Sequence, residues 1–292
     1  MLFLVLSIVC SVSVSVLMKL ARKHQIDVSQ AVAVNYWVAI AWTLLVLRPK
    51  FDNQLLVDHM GIFGVLGVLM PVGFLVLGRA VAEAGIVKTD AAQRLSLFLP
   101  VLAAFTIFGE VIKLQNILGL ILAFSALACL LYKTNRQPEK PTHQWNSHTM
   151  WILLWVWLTY GTVDILFKQL AKMGAKTVSV NLLIIFGIAA IIMLIYLLMK
   201  KTRWDKISLL SGLLLGSLNF GNIIFYIHAH MAFQENPTTV FAGMNMGVIA
   251  LGTLVGAWYF KEKISRLNAV GIGLALMAVL MLSYGNLLFL YS

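Results

Sequence analysis

Charge is scarce in this chain. Of its 292 residues only 11% are Asp, Glu, Lys or Arg, where a soluble domain carries about 25%. That excludes a large water-facing surface. Acidic residues are the rarer sign, 11 against 22 basic ones, for a net charge of +11. The basic residues stand singly or in small groups between apolar runs, where anionic lipid headgroups meet them, so no nucleic-acid partner is expected. Cysteine is nearly absent. Cys10 and Cys129 both lie inside apolar runs with no CxxC partner, which excludes a disulfide or thiolate-metal framework. His228 and His230 are two apart with no third ligand in view, a poor metal pair. Neither a GxxxxGK[ST] phosphate loop nor an HExxH pair occurs. ATP-driven pumping by this chain alone and zinc hydrolysis are therefore not expected, and neither is any cofactor.

What is present is apolar sequence: 61% of residues are hydrophobic and the mean hydropathy is +0.91. Ten runs stand out, at 2–18, 31–47, 60–78, 90–108, 114–132, 150–167, 179–199, 207–227, 237–258 and 267–289. Each is close to the ~20 residues a helix needs to cross the hydrocarbon core. The first has no basic leader region or small-residue cleavage site, so it is expected to stay as a span. The longest polar stretch, 133–149, contains Pro138 and Pro141 and separates 1–132 from 150–292.

The two parts resemble each other. Phe108–Ala123 (FGEVIKLQNILGLILA) and Phe260–Ala275 (FKEKISRLNAVGIGLA) share seven identities in sixteen at an offset of 152. Glu83 pairs with Glu235 and Gly64 with Gly216 at the same offset, and Leu17–Lys19 with Leu166–Lys168 at 149. Duplication of a five-span unit is the simplest explanation. Five is odd, so the second copy enters the membrane inverted. The expected fold is an all-α integral membrane protein with ten transmembrane helices in a five-plus-five inverted repeat. Such repeats frame a shared cavity at the bilayer midplane.

A pattern runs through Pro100, Gly109-Glu110 and Gly119, and again through Gly252, Lys261-Glu262 and Gly271. It comprises an apolar run, a Glu, a short basic turn, a Gly and a second apolar run. It resembles the EamA domain of the drug/metabolite transporter superfamily over nearly the whole chain. The resemblance implies a secondary transporter, often an exporter of amino acids or other small metabolites, in a bacterial inner membrane with both termini cytoplasmic. The charge count points the other way. Sixteen Lys and Arg fall on the side opposite the termini and six on the termini side, which places the termini outside. Gly252 stands where the first copy has Pro100, so a kink at that point is expected in the first copy only.

Polar residues inside spans are costly and therefore informative. Ser7, Ser11, Ser15 and Lys19 recur every four residues in span 1, as do Tyr160, Asp164 and Lys168 in span 6, and each set shares one helix face. Equivalent helices thus carry equivalent stripes, expected to face each other or a common cavity. The serines also fit simple close packing. Asp164 is a candidate for binding a proton or a substrate amine; the alternative is an ion pair with Lys168, one turn on. Span 8 carries Asn219, Asn222, Tyr226 and His230 on one face, with His230 expected at the membrane surface. The first copy lacks that stripe, which favours substrate recognition over an interhelical hydrogen-bond cluster. Gln93 and Asn245 are repeat counterparts, expected as an amide pair about the pseudo-symmetry axis. Arg94 either snorkels to the surface or meets a substrate carboxylate. Asn35 and Asn181 are further candidates. Glu110 and Glu262 sit at tight turns where a carboxylate accepts from a helix N-terminus, and Glu83 and Glu235 invite the same reading. Pro71 and Gly73 permit a break in span 3. Gly243/Gly247 and Gly252/Gly256 are small-xxx-small pairs, and Trp151, Trp155 and Trp157 are interfacial anchors.

The expected function is alternating-access transport of a small polar, amino-acid-like metabolite, proton-coupled and outward. The substrate-binding set is Asp164, Tyr160, Asn219, Asn222, Tyr226, Gln93, Arg94 and Asn245. Expected partners are that small molecule and membrane lipids, with the chain a monomer or homodimer. The alternatives are a non-transporting assembly subunit, or a carrier of sugars or lipid-linked substrates.

Overall fold

The computed structural model describes residues 1–23, 26–49, 60–131, 147–259, 261 and 265–289. Most of the polar stretch 133–149, with Pro138 and Pro141, and the turn containing Glu262 lie outside them. The described residues form eleven α-helices: α1 (Leu2–Lys23), α2 (Val28–Trp42), α3 (Met60–Ala84), α4 (Ile86–Leu95), α5 (Phe98–Thr106), α6 (Leu114–Leu131), α7 (Ser147–Lys172), α8 (Ala175–Met199), α9 (Lys206–Ala232), α10 (Pro237–Tyr259) and α11 (Arg266–Phe289). Nine helical stretches among the described residues are long and apolar enough to cross a membrane. By length and composition this is an all-helical membrane protein. α2 contributes one of the nine through a π-helical extension, Thr43–Leu47. There Thr43 Oγ1 donates back to the Ala39 carbonyl at 2.7 Å, a side-chain bond that competes with the α-helical ladder.

The expected span at 90–108 is not one helix. It breaks into α4 and α5 at Ser96–Leu97. Pro100 has no N–H for the Ser96 carbonyl four residues back, and its ring crowds that carbonyl. The Ser96 carbonyl instead accepts from Leu99 N at 3.0 Å, and the Leu95 carbonyl accepts from Trp157 Nε1 at 3.0 Å. Trp157 is thus a partner of the break, whereas Trp151 and Trp155 stay exposed. α7 fits over the break through Gly161, where a Cβ would stand 2.6 Å from Leu99 Cδ1 and 3.0 Å from the Ser96 carbonyl oxygen. α10, with Gly252 in place of the proline, is unbroken. Pro71 does not break α3, which runs through it from Met60 to Ala84.

α9 is the hub. It packs on α1, α2, α7 and α10, while α3 packs on α7 and α8, and α6 on α11. Glycines set the close approaches. Gly212 and Gly216 of α9 lie against Val34 and Val38 of α2, Gly67 of α3 against Ile188 of α8, and Gly243 and Gly247 of α10 against Leu4 and Ile8 of α1. Gly252 has no neighbour within 4 Å of a would-be Cβ, so the second small-xxx-small pair does not act as the first does. α6 and α11 interlock reciprocally. A Cβ on Gly119 would stand 2.6 Å from Leu282, and one on Gly271 2.7 Å from Leu130. Contacts that run 119 to 282 and 130 to 271 make the two helices antiparallel.

Helix ends are closed by local caps and by side chains from distant segments. At one end of α9, Asp205 Oδ2 accepts from Ser208 N at 2.9 Å and Oγ at 2.8 Å. Those bonds hold its carboxyl below the ordinary carboxylate range. Ser208 Oγ also accepts from Asp27 N at 3.0 Å, and Gln30 joins the Arg203 carbonyl at 2.8 Å to Asp205 N at 2.9 Å. The N-termini of α2 and α9 are thereby tied together. Glu110 caps a helix as expected, but the helix is α10 rather than its sequence neighbour α6. Its Oε2 accepts from Thr238 N at 2.9 Å and Thr238 Oγ1 at 2.7 Å, and its Oε1 from Asn116 Nδ2 at 3.1 Å. Glu83 ends α3 instead, with Oε2 3.0 Å from His148 Nδ1. Burial raises the Glu110 carboxyl above its usual range, against the opposing pull of Thr238 and of the Lys168 and Lys113 charges.

Gly119→Val must displace Leu282 and is expected to lower stability by about 1–3 kcal/mol, while Gly252→Val has room; detergent melting of the two variants side by side checks this. Glu110→Ala strands the Thr238 donors and is expected to cost a similar ~1–3 kcal/mol. Because folding raises the Glu110 carboxyl, ionisation weakens the folded state as pH climbs from the ordinary carboxylate range through the raised one. Glu110→Gln should therefore gain in melting temperature relative to the natural chain over that interval, and a flat difference would contradict it.

Candidate functional site

α7 ends at Lys172, five residues beyond the expected limit of 167. Asp164 therefore lies eight residues inside the helix, ~12 Å along its axis at 1.5 Å per residue. Its Oδ1 accepts from Tyr226 OH at 3.1 Å, joining α7 to α9. It does not pair with Lys168. The Lys168 ammonium instead donates to the Gln234 carbonyl at 3.0 Å and the His230 carbonyl at 3.4 Å, at the C-terminal end of α9. The last carbonyls of a helix have no internal partners and carry the negative end of its dipole, so a buried cation fits there. Lys168 is 1% exposed, and its sequence spacing from Asp164 is overridden by this stronger set of acceptors.

Tyr160, one turn before Asp164, is half-buried and within electrostatic reach of Asp164, Arg94 and Tyr36. Arg94 turns inward rather than to the surface. Its side chain is 17% exposed, with Nε 3.4 Å from Asp90 Oδ1 one turn back in α4. Asp90 and Asp164 thus flank an arginine and a tyrosine between α4 and α7. Asp164, Tyr160 and Arg94 are each only partly buried. Tyr36 of α2 is 0% exposed and its hydroxyl has no hydrogen-bond partner among the described residues. Sequence reasoning missed Tyr36. Its only signal is a polar atom in an apolar run, next to Asn35.

The span 8 stripe divides among three neighbours. Asn219 Nδ2 donates to Asn35 Oδ1 of α2 at 3.1 Å. Asn222 Oδ1 accepts from Ser7 Oγ of α1 at 2.8 Å. Tyr226 reaches Asp164 of α7. Asn219 and Asn222 therefore join helices directly, the interhelical alternative to ligand contact. Ser7 of the α1 stripe and Asp164 and Lys168 of the α7 stripe thus meet α9 rather than each other, while Ser15 donates back to the Ser11 carbonyl of its own helix at 3.0 Å. His230 is not at the membrane surface: it is 0% exposed, between Tyr226 and Phe241 with ring centroids 4.7 Å from each. Neither of its ring nitrogens has a hydrogen-bond partner among the described residues.

The amide pair expected of Gln93 and Asn245 is not formed. Asn245 Nδ2 donates back to the Phe241 carbonyl of its own helix at 3.1 Å. In a helix the carbonyl four residues back is always within reach, which competes with a more distant amide. Gln93 remains half-buried beside Arg94 in α4. Asn181 Nδ2 reaches Met173 Sδ at 3.6 Å, away from this set. The residues brought together are thus Asp164, Tyr160, Tyr226 and Arg94, joined by Asp90 and Tyr36. No group of three or more His, Cys, Asp or Glu suited to a metal occurs among the described residues.

No family model matches the chain. A solved structure described as "Crystal structure of protein" superposes with a TM-score of 0.72 over 97% of this chain and 95% of its own, at 12% identity, a likeness of fold alone. A protein of Haemophilus influenzae, described as "Uncharacterized protein", is 48% identical over 287 residues, covering 96% of this chain and 97% of that one. The chain belongs to the family of that Haemophilus influenzae protein.

Proposed function

We propose that this protein is a secondary transporter of a small zwitterionic, amino-acid-like metabolite in a bacterial inner membrane, working outward by alternating access with a proton as the coupling ion. The observation that carries the reading is the Asp164–Tyr226 contact, a carboxylate held at 3.1 Å from a phenol between two membrane-length helices. Intramembrane carboxylates are costly and mark proton or substrate pathways. Asp164 is the group for a proton or a substrate ammonium. Tyr160 and Tyr226 supply hydroxyls, and Arg94 supplies a guanidinium for a carboxylate.

The proposal includes a ten-span inverted repeat of the EamA kind, counting α4 and α5 as one broken span. Reciprocity between α6 and α11 supports it: adding 152 to Gly119 and Leu130 gives Gly271 and Leu282, the residues that they touch. Packing of α1 on α9 is matched by α7 on α3, and α2 on α9 by α8 on α3. Gly109 and Lys261, also 152 apart, both take left-handed backbone, with φ of 68° and 55°. A non-glycine residue avoids that region unless its turn demands it. Two antiparallel copies around one site are suited to rocking about it. A single chain suffices for this, as monomer or homodimer.

Purified protein in liposomes should take up or exchange some member of a labelled amino-acid panel, with flux driven by an imposed pH gradient. Asp164→Asn should abolish gradient-driven flux while leaving the melting temperature within a few degrees. Tyr226→Phe removes one hydrogen bond to a charged acceptor and is expected to reduce flux roughly ten- to a hundredfold. Undiminished flux in Asp164→Asn would remove the carboxylate from the pathway. Absence of flux with amino acids but its presence with sugars or lipid-linked substrates would redirect the substrate class.

A further inference from the structure

Away from that site, three helix ends and a connection meet at one rim of the protein: the end of α5, the start of α6, the end of α7 and the α9–α10 connection. Between them is a cavity of about 400 Å³ whose lining includes Phe108, Lys113, Lys172, Gln234, Glu235 and Asn236. The Lys172 ammonium stands 5.5 Å from the Phe108 ring centroid. Among the described residues, none of Lys113, Lys172 and Glu235 is in an ion pair. Three charges of both signs therefore border one cavity without neutralising one another. Two ammonium groups and one carboxylate complement a ligand with an anionic group and an amine.

The rim itself is apolar. Ile107, Val111, Ile112 and Leu114 are 57%, 68%, 63% and 59% exposed. Beside the ends of membrane-length helices, such side chains belong in the acyl region, with lysines at headgroup level. We infer that this cavity binds the headgroup of an aminophospholipid, its phosphate between Lys113 and Lys172 and its primary amine at Glu235, with the acyl chains along Ile107, Val111, Ile112 and Leu114. Gln234 and Asn236 offer amides to the remaining phosphate oxygens. The site is independent of the transport reading: among the described residues the hydrogen bonds and ion pairs of Asp164, Tyr226 and Arg94 do not involve its lining.

The experiment is retention of lipid by delipidated, detergent-purified protein, read by native mass spectrometry. The probes are phosphatidylethanolamine, phosphatidylglycerol and phosphatidylcholine of matched chains, with soluble phosphoethanolamine as a fourth. Phosphatidylethanolamine should be retained roughly tenfold better than the other two, the ratio that one charge-assisted hydrogen bond supports. Glu235→Gln should erase the preference over phosphatidylglycerol and leave retention of both. Lys113→Gln with Lys172→Gln should lower retention of both. All these side chains are exposed, so melting in lipid-free detergent should not change. Equal retention of all three lipids overturns the inference, as does a preference that survives in both variants. Soluble phosphoethanolamine binding as tightly as the lipid would overturn the assignment of a membrane source.

Discussion

In hydrocarbon no water completes the hydrogen bonds at a helix end, so every end that is drawn inside must find its partner in the protein. The packing of this molecule follows from how those ends are met. Glu110 closes the start of α10 from the α5–α6 turn. Lys168 closes the end of α9 from α7. Asp27, Gln30, Asp205 and Ser208 bind the starts of α2 and α9 to each other. Apart from the local Asp205–Ser208 cap, each bond joins segments far apart in sequence, and together they hold α9 at both ends. Once α9 is placed, α1, α2 and α7 are fixed around it.

Close approach does the rest. Apolar side chains gain little from meeting one another when lipid tails are equally apolar, so contact rests on fit between small and large residues. Gly212 and Gly216 admit Val34 and Val38, and Gly119 and Gly271 admit Leu282 and Leu130. Where the fit uses a proline instead, as at Pro100, the helix breaks and α7 fills the step with Gly161 and Trp157. That break has no counterpart in α10, which runs unbroken through Gly252. It turns Arg94, at the end of α4, towards Tyr160.

The candidate site lies where these constraints leave polar groups over. Lys168 is committed to carbonyls, which frees Asp164 for Tyr226. Asn219 and Asn222 are committed to Asn35 and Ser7, which leaves Tyr226 as the member of that stripe facing Asp164. Asp164, Tyr160 and Arg94 retain accessible surface. The adjacent His230 is sealed between aromatic rings.

Membrane character and helix positions were legible in the sequence, because length and hydropathy alone decide whether a segment is a candidate to cross a bilayer. Every expected run from 2–18 to 267–289 contains helix. The sequence identities at an offset of 152 were legible too, since they need no structure. Faces were legible in part: spacing of four put Tyr160, Asp164 and Lys168 on one side of a helix. Which partner each side chain takes was decided only by the tertiary structure. Lys168 had a carboxylate one turn away in sequence, but the end of α9 supplied two buried carbonyls. Glu110 had α6 next in sequence, but α10 supplied the free amide and hydroxyl. Asn245 had a repeat counterpart in Gln93, but its own helix offered a nearer acceptor. Sequence spacing specifies direction along one helix. Hydrogen-bond choice in a dry interior depends on which unsatisfied group another helix brings within 3 Å or so, and that is a property of the assembled fold.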